Sequence, residues 1–226
     1  MRKIILDTET TGLDFHKDRI IEIACVELVN DIPTGEVYHK FFSPGDIEIS
    51  QEAQEIHGLS NEYLKDFELF DQNVLECIEF IGQSPIIIHN AQFDLTMINN
   101  SLKRNNFALI DEEKVICTLV LARKKFPGSK VNLNALCRRF DISLEQRLKH
   151  DAKTDCFLLA QVYLELIGGK QHKFLFNEKL LQTSQNEKTV KKRKKTPIIK
   201  LTSAQIEQHN DLLKKLKNSI WKKFKD

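Results

Sequence analysis

A mixed α/β domain carrying a C-terminal tail is the fold class this sequence predicts, and three observations carry it. Short β-rich runs fill the first 42 residues, helical spacing of apolar residues dominates the later stretch to residue 166, and the charge changes sign near residue 170. Residues 1–170 hold 19 Lys+Arg against 27 Asp+Glu, a net −8; residues 171–226 hold 15 against 5, a net +10. The 226 residues suffice for one well-cored domain and an appendage. An acidic body is by itself a poor non-specific binder of nucleic acid, so work on such a substrate needs metal ions or a partner. MRKIIL runs straight into DTETTG, and no apolar run is long enough for a signal peptide or a membrane span. The five cysteines are scattered, odd in number and without a CxxC pair, which fits free thiols in a reducing cytoplasm better than a disulfide frame or a zinc site.

KIILD (3–7) is a short β-rich run ending in a carboxylate. IIEIACVELV (20–29) and VYHKFF (37–42) follow, separated by the turn-like NDIPTGE, so an antiparallel meander is expected. A helix near 72–82, the strand PIIIHN (85–90) and a helix over 91–104 come next. KVICT (114–118) reads as a last short strand leading into LVLARKKF, which PGS stops. NLNALCRRF and DAKTDCFLLAQVYLEL read as helices, the second ended by Gly168 and Gly169. The domain thus spans 1–170. Residues 171–202, basic around TVKKRKK, read as a flexible linker. In 203–226 helical spacing returns through Ile206, Leu212, Leu213, Leu216, Ile220, Trp221 and Phe224, with Ser203 placed as its cap.

Asp7 and Glu9 stand two apart on the first strand and share a face. Side by side they repel unless a cation sits between them; the plain alternative is a strand end meeting solvent. Asp94 ends HNAQFD (89–94), where Asn90 is placed to cap a helix whose inward stripe runs through Met97, Ile98 and Leu102. It falls on or near that stripe, though an acid in a first turn also suits the helix dipole. Asp155 is sharper: Ala152, Leu159, Val162 and Leu166 form a core-facing stripe through its position. An ionised carboxylate there is costly unless it binds metal or is salt-bridged to an arginine. His150 lies about one turn before it. Four carboxylates offer hard oxygen ligands suited to magnesium or manganese, and a histidine carries a proton near neutral pH. Two-metal phosphoryl chemistry needs this set.

LDTETTG (6–12), HNAQFD (89–94) and HDAKTD (150–155) resemble, in order and spacing, the three motifs of the DEDDh exonuclease family, over about residues 3–167. The resemblance implies a ribonuclease H-like fold, a mixed β-sheet flanked by helices. It implies stepwise hydrolysis from the 3′ end of single-stranded DNA, releasing nucleoside 5′-monophosphates. Asp7, Glu9, Asp94 and Asp155 would hold two divalent ions, Mg2+ or Mn2+, with His150 as general base; Asp7, Glu9 and Asp155 would also face substrate. Glu52 and His57, in EAQEIHG (52–58), match positions that contact the terminal nucleotide. Glu52 can accept from a free 3′-hydroxyl; the alternative for His57 is a loop histidine capped by Gly58. His89 reads as a structural hydrogen-bonder, and His16, His39, His172 and His209 join no constellation.

PGSKVNLNALC, DAKTDCFLLAQVYLELIGGKQ and LTSAQIEQHNDLLKKLKNSIW resemble, more narrowly, the proofreading epsilon-type subunits of bacterial DNA polymerase III. That resemblance implies a cytoplasmic replisome component bound to the polymerase alpha subunit through 203–226, with Trp221 as an anchor residue. A basic amphipathic helix also suits anionic membrane; the resemblance favours protein. A theta-like subunit is a further implied partner. Gln171, Phe174 and Phe176, in QHKFLF (171–176), resemble the peptide by which replication proteins dock on the sliding clamp; the alternative is that both phenylalanines pack on the domain. ARKKFPGS (122–129) reads as a solvated basic face. Two competing functions are RNA-end trimming and a non-catalytic polymerase adaptor. The tail argues against the first, and the five filled catalytic positions against the second.

Overall fold

The computed structural model describes residues 1–145, 147, 149–168 and 202–215. Alternation in the opening residues decides how they pack. In β1 (Arg2–Thr10), Ile4 and Leu6 point to one face and Ile5 to the other, and all three are fully buried. A strand apolar on both faces belongs inside a sheet. β2 (Ile20–Val29) accordingly pairs with β1 antiparallel on one side, and β4 (Ile86–Ile88) pairs with it parallel on the other. With β3 (Ile32–Phe41) and β5 (Val115–Cys117) the sheet order is β3-β2-β1-β4-β5. The expected meander is present, but β3 starts five residues before its apolar run. Asn30 and Asp31 take φ of 53° and 67° and reverse the chain in two residues, so most of NDIPTGE is strand rather than loop. The exposed first half of β3, with Pro33 near its start, suits an edge.

Two helical layers cover the sheet. α3 (Phe70–Ile81) and α4 (Ala91–Arg104) pack on the face bearing Ile4, Leu6, Ile23 and Ile88. α5 (Thr118–Lys125), α6 (Leu133–Arg139) and α7 (Ala152–Leu166) pack on the face bearing Ile5, Ala24, Val26 and Ile87. Small residues let α7 approach closely: Ala152 is fully buried, and the Cys156 thiol donates to the Ala24 carbonyl at 3.3 Å. The mixed sheet between helices is the ribonuclease H-like arrangement that the three motifs imply. All five cysteines are free.

Two short helices lie where the sequence reading placed no element: α1 (Gln51–His57) and α2 (Asn61–Leu64). Each buries one residue, His57 and Leu64, so neither leaves an apolar period to read. Their start signals are Ser50 and Ser60, whose hydroxyls accept from the backbone of Ala53 and Tyr63. His57 is therefore the last residue of a helix, not a loop histidine.

The chain divides into two units, and α8 (Ser203–Lys215) belongs to the second. Thr202, not Ser203, caps it. The Thr202 hydroxyl accepts from Gln205 N at 3.4 Å while Gln205 Oε1 accepts from Thr202 N at 3.0 Å, a reciprocal capping box. Ile206 and Leu212 are exposed on this helix. The peptide 171–176 with Gln171, Phe174 and Phe176, the linker to residue 201, and Trp221 lie outside the described residues. No described helix is long and apolar enough to cross a membrane.

Ile87 is fully buried in the central sheet and Ile32 is exposed at its edge. Ile87→Ala is therefore expected to cost about 2–5 kcal/mol, and Ile32→Ala within about 0.5 kcal/mol. Urea unfolding midpoints check both; equal losses would contradict this placement of the core.

Candidate metal centre

The sheet alternation that builds the core also sorts the polar residues at the far end of β1. Asp7 and Glu9 continue the Ile5 face, toward α7, while Thr8 continues the Leu6 face, toward α4. Asp155 and Asp94 meet them there, each the fourth residue of its helix, α7 and α4. Both helices thus point their N-termini at the cluster, where unpaired N–H groups and the helix dipole favour an anion. Asp151 caps α7 by accepting from Thr154 N at 3.1 Å. Asn90 acts differently from the expected side-chain cap: it takes φ 65° and ψ 48° and makes no side-chain cap bond, so its left-handed backbone turns the chain from β4 into α4.

Glu9 is 9% exposed, Asp94 4% and Asp155 3%. Asp94 Oδ1 accepts from Thr8 N at 3.1 Å and from Thr8 Oγ1 at 2.7 Å, which fixes it across the strand end. Ligand atoms of Glu9, His150 and Asp155 lie within 4.8 Å of one another. His150 is pinned by its own N–H, which donates to the Ile56 carbonyl of α1 at 3.1 Å. The arginine alternative for Asp155 is realised here. Arg147 Nε donates to Asp155 Oδ1 at 2.5 Å, and its Nη2 donates to Oδ2.

Three buried carboxylates and the half-buried Asp7 outweigh that one guanidinium. Burial, and then the charges of Asp94, Glu9 and Asp155, hold the Asp7 carboxyl well above the usual range. Burial, followed by Asp155, Glu22 and Asp94, pushes Glu9 up to about 8. Burial pushes Asp94 up to about 7 despite the bonds from Thr8. Burial and then the Arg147 charge pull His150 below the ordinary imidazole value. A cluster of hard oxygen donors that resist ionising together is chemically suited to a divalent cation such as magnesium or manganese.

A cavity of about 690 Å3 opens beside the cluster. Glu9, Glu52, His57 and His150 line it together, so two residues distant in sequence from the carboxylate motifs join them in space. His57 Nδ1 accepts from Leu59 N at 3.0 Å, which leaves the proton on Nε2, a buried donor with no hydrogen-bond partner. Leu13, Ile56 and Phe93 add apolar wall. Sequence reasoning missed these three; the available signal was Leu13, a large apolar residue in a polar loop, which is 82% exposed. Gly12 lets that loop close, since a Cβ there would lie 2.6 Å from Asp18 Oδ2. Reasoning from sequence also assigned nothing to His39, whose Nε2 lies 2.7 Å from Oε1 of the buried Glu22, directly across from Glu9 in the sheet. His89 is a structural hydrogen-bonder as expected: Nδ1 lies 2.9 Å from Thr118 Oγ1, and burial pushes its pKa down to about 4. His89 and the FPGSK segment line a second cavity, of about 1080 Å3, that shares Asn90 with the first; ARKKFPGS is thus partly a cavity wall rather than only a solvated face.

Residues 4–163 match the family model described as an exonuclease. The DNA polymerase III subunit epsilon of Rickettsia felis is 42% identical, over 94% of this chain and 96% of its own length. That of Buchnera aphidicola subsp. Schizaphis graminum is 36% identical over 96% and 97%. Among solved structures, exonuclease X in complex with 5′ overhanging duplex DNA has a TM-score of 0.56 at 25% identity, covering 73% of this chain and 90% of that one. Exonuclease I from Methylocaldum szegediense, with a TM-score of 0.63 at 21% identity over 76% and 41%, shares the fold.

The electrostatics predict a pH-dependent stability. A carboxyl whose folded pKa is raised binds its proton more tightly folded than unfolded, so its contribution is present at low pH and lost as pH rises through the folded value. For Asp94 and Glu9 those values are about 7 and about 8. The depressed histidines His57, His89 and His150 act oppositely, but only below their unfolded pKa of about 6.5. In chelator, the urea midpoint is therefore expected to fall between pH 6.5 and 8.5, to fall less in Glu9→Gln, and to recover with Mn2+. A midpoint flat across that window would contradict the raised carboxyls.

Proposed function

The chain belongs to the exonuclease family, among the epsilon subunits of bacterial DNA polymerase III, and with that membership as premise we propose how its residues carry out 3′→5′ hydrolysis of a DNA end. It is a 3′→5′ proofreading exonuclease. The nucleotidyl transfer of the polymerase belongs to the whole assembly; the reaction of this chain is hydrolysis. The observation that carries the residue assignments is the convergence of Glu9, His150 and Asp155 beside the cavity that also holds Glu52 and His57.

The family's fold uses divalent metals, and we assign two ions, Mg2+ or Mn2+, to Asp7, Glu9, Asp94 and Asp155. When bound, they supply a lowered water pKa and neutralise charge on the leaving oxygen. His150 takes the proton of the attacking water, and its depressed pKa keeps the imidazole neutral and able to accept at neutral pH. Glu52 accepts from the free 3′-hydroxyl and so selects a chain end. His57 donates from Nε2 to the terminal nucleotide. Leu13, Ile56 and Phe93 pack on sugar and base without a hydrogen-bonding pattern, so base identity is not read. Discrimination comes from the substrate, because a mismatched end unpairs more readily and enters as a single strand.

In the same reading residues 1–170 are the nuclease domain, 171–202 a tether, and 203–226 the helix that binds the polymerase alpha subunit through its apolar stripe and Trp221. The tether raises the effective concentration of nuclease at the primer end. Gln171, Phe174 and Phe176 would reach the sliding clamp, a theta-like subunit would join the assembly, and the whole would work in the cytoplasmic replisome of a bacterium.

Nucleotide release from a mismatched primer end, with and without magnesium, tests the chemistry. Asp7→Ala and Asp155→Ala are expected to abolish release while circular dichroism stays native. His150→Ala is expected to slow it on the order of 10²–10⁴ and to remove the acidic limb of the pH–rate profile. Most activity surviving in either aspartate variant would refute the assignment. For the tail, Trp221→Ala is expected to weaken capture of the alpha subunit by roughly 2 kcal/mol or more; unchanged capture would move that contact elsewhere.

A further inference from the structure

Arg147 has no place in the mechanism above, yet it makes the densest set of polar bonds in the centre. Its side chain is 5% exposed. Nε donates to Asp155 Oδ1 at 2.5 Å and Nη2 to Asp155 Oδ2. The same Nη2 donates to His150 Nδ1 at 3.0 Å, and Nη1 donates to Asn134 Oδ1 at 2.5 Å. A guanidinium side-on to a carboxylate takes one of the two in-plane lone pairs on each oxygen. Its charge and those two bonds compete with any divalent ion that Asp155 would hold. Because Arg147 can only donate, His150 Nδ1 must be the acceptor, and the neutral imidazole then carries its proton on Nε2. Neither ring nitrogen is free to take a proton from water in this arrangement. One side chain therefore holds both Asp155 and His150 away from their proposed roles.

The surroundings offer the guanidinium a second position. A cavity of about 520 Å3 is lined by Arg147 and His150 together with Glu55, Asn134, Arg138 and Lys149. It supplies an acid, Glu55, and its Asn134 already grips the far nitrogen of the guanidinium. A rotation about that tether would carry Arg147 off Asp155 without burying its charge unpaired.

We propose that Arg147 is an exchangeable counter-cation, a positioning residue that occupies Asp155 and His150 until a divalent ion displaces it toward the Glu55 side, freeing both groups in one step. The proposal rests on the metal reading of the four carboxylates. Mn2+ titration calorimetry on the full chain tests it, comparing wild type, Arg147→Met and Arg147→Lys. Removing the competitor is expected to tighten the first Mn2+ on the order of tenfold in Arg147→Met. Arg147→Lys, a point charge without the fork, is expected to fall between. Thermal melting supplies a second readout: Arg147→Met is expected to melt lower than wild type in chelator, with the gap closing in saturating Mn2+. An arginine that merely braces its loop would lower melting equally in both conditions and leave Mn2+ affinity unchanged, and that result overturns the proposal. Weaker Mn2+ binding in Arg147→Met overturns it as well, since the arginine would then be helping to build the site. If Arg147→Met does not fold, the comparison of Arg147→Lys with wild type decides by the same criterion. Wild type that binds no Mn2+ would refute the metal reading and this inference together, whereas equal binding by wild type and variants refutes the inference alone.

Discussion

Like charges gathered out of water oppose one another, and the end of β1 gathers four of them. Asp7, Glu9, Asp94 and Asp155 sit together there; burial and then neighbouring carboxylates hold Asp7 and Glu9 above their ordinary range, and burial alone raises Asp94. Much of the surrounding architecture offsets that repulsion. Two helix N-termini face the cluster, Thr8 donates twice to Asp94, and the guanidinium of Arg147 lies against Asp155. None of these supplies as much positive charge as four ionised carboxylates carry, and such a donor set suits a small, hard, multiply charged cation.

Holding such a cluster needs a rigid support, and the sheet provides it. β1 is the central strand of five, paired along its whole length with β2. Its alternation places Asp7 and Glu9 toward α7 and Thr8 toward α4, so that one strand end collects groups from both layers. The register shift between Glu9 and Thr10 ends the regular pairing just beyond the last carboxylate.

The residues lining the cavity are tied to this support through short connections rather than through the core. His150 N donates to the Ile56 carbonyl, which joins the loop before α7 to α1 and brings Glu52, His57 and His150 to one cavity. Gly58 suits that junction by taking φ 78°, a backbone conformation that other residues rarely adopt. The cluster is thus a rigid carboxylate floor with a wall built from a separate short helix.

Much of this could be read before any coordinates. Strand alternation identified Asp7 and Glu9 as neighbours on one face, the helical stripe through Ala152, Leu159, Val162 and Leu166 marked Asp155 as a carboxylate in an apolar slot, and three ordered motifs supplied the family. These are local, periodic signals, and periodicity survives in one dimension. The α1 helix was not legible, because a helix that buries one residue leaves no period. Nor was the role of Asn90, whose left-handed backbone depends on the strand and helix it joins. The identity of the cation on Asp155 shows the boundary most clearly. A buried carboxylate signals from sequence that it must have a partner, since desolvation demands one, but any arginine or metal satisfies that demand equally on paper. Only the tertiary placement of Arg147 beside α6 and α7 brought it within reach of Asp155, His150 and Asn134 together, because hydrogen bonds depend on direction and distance in space.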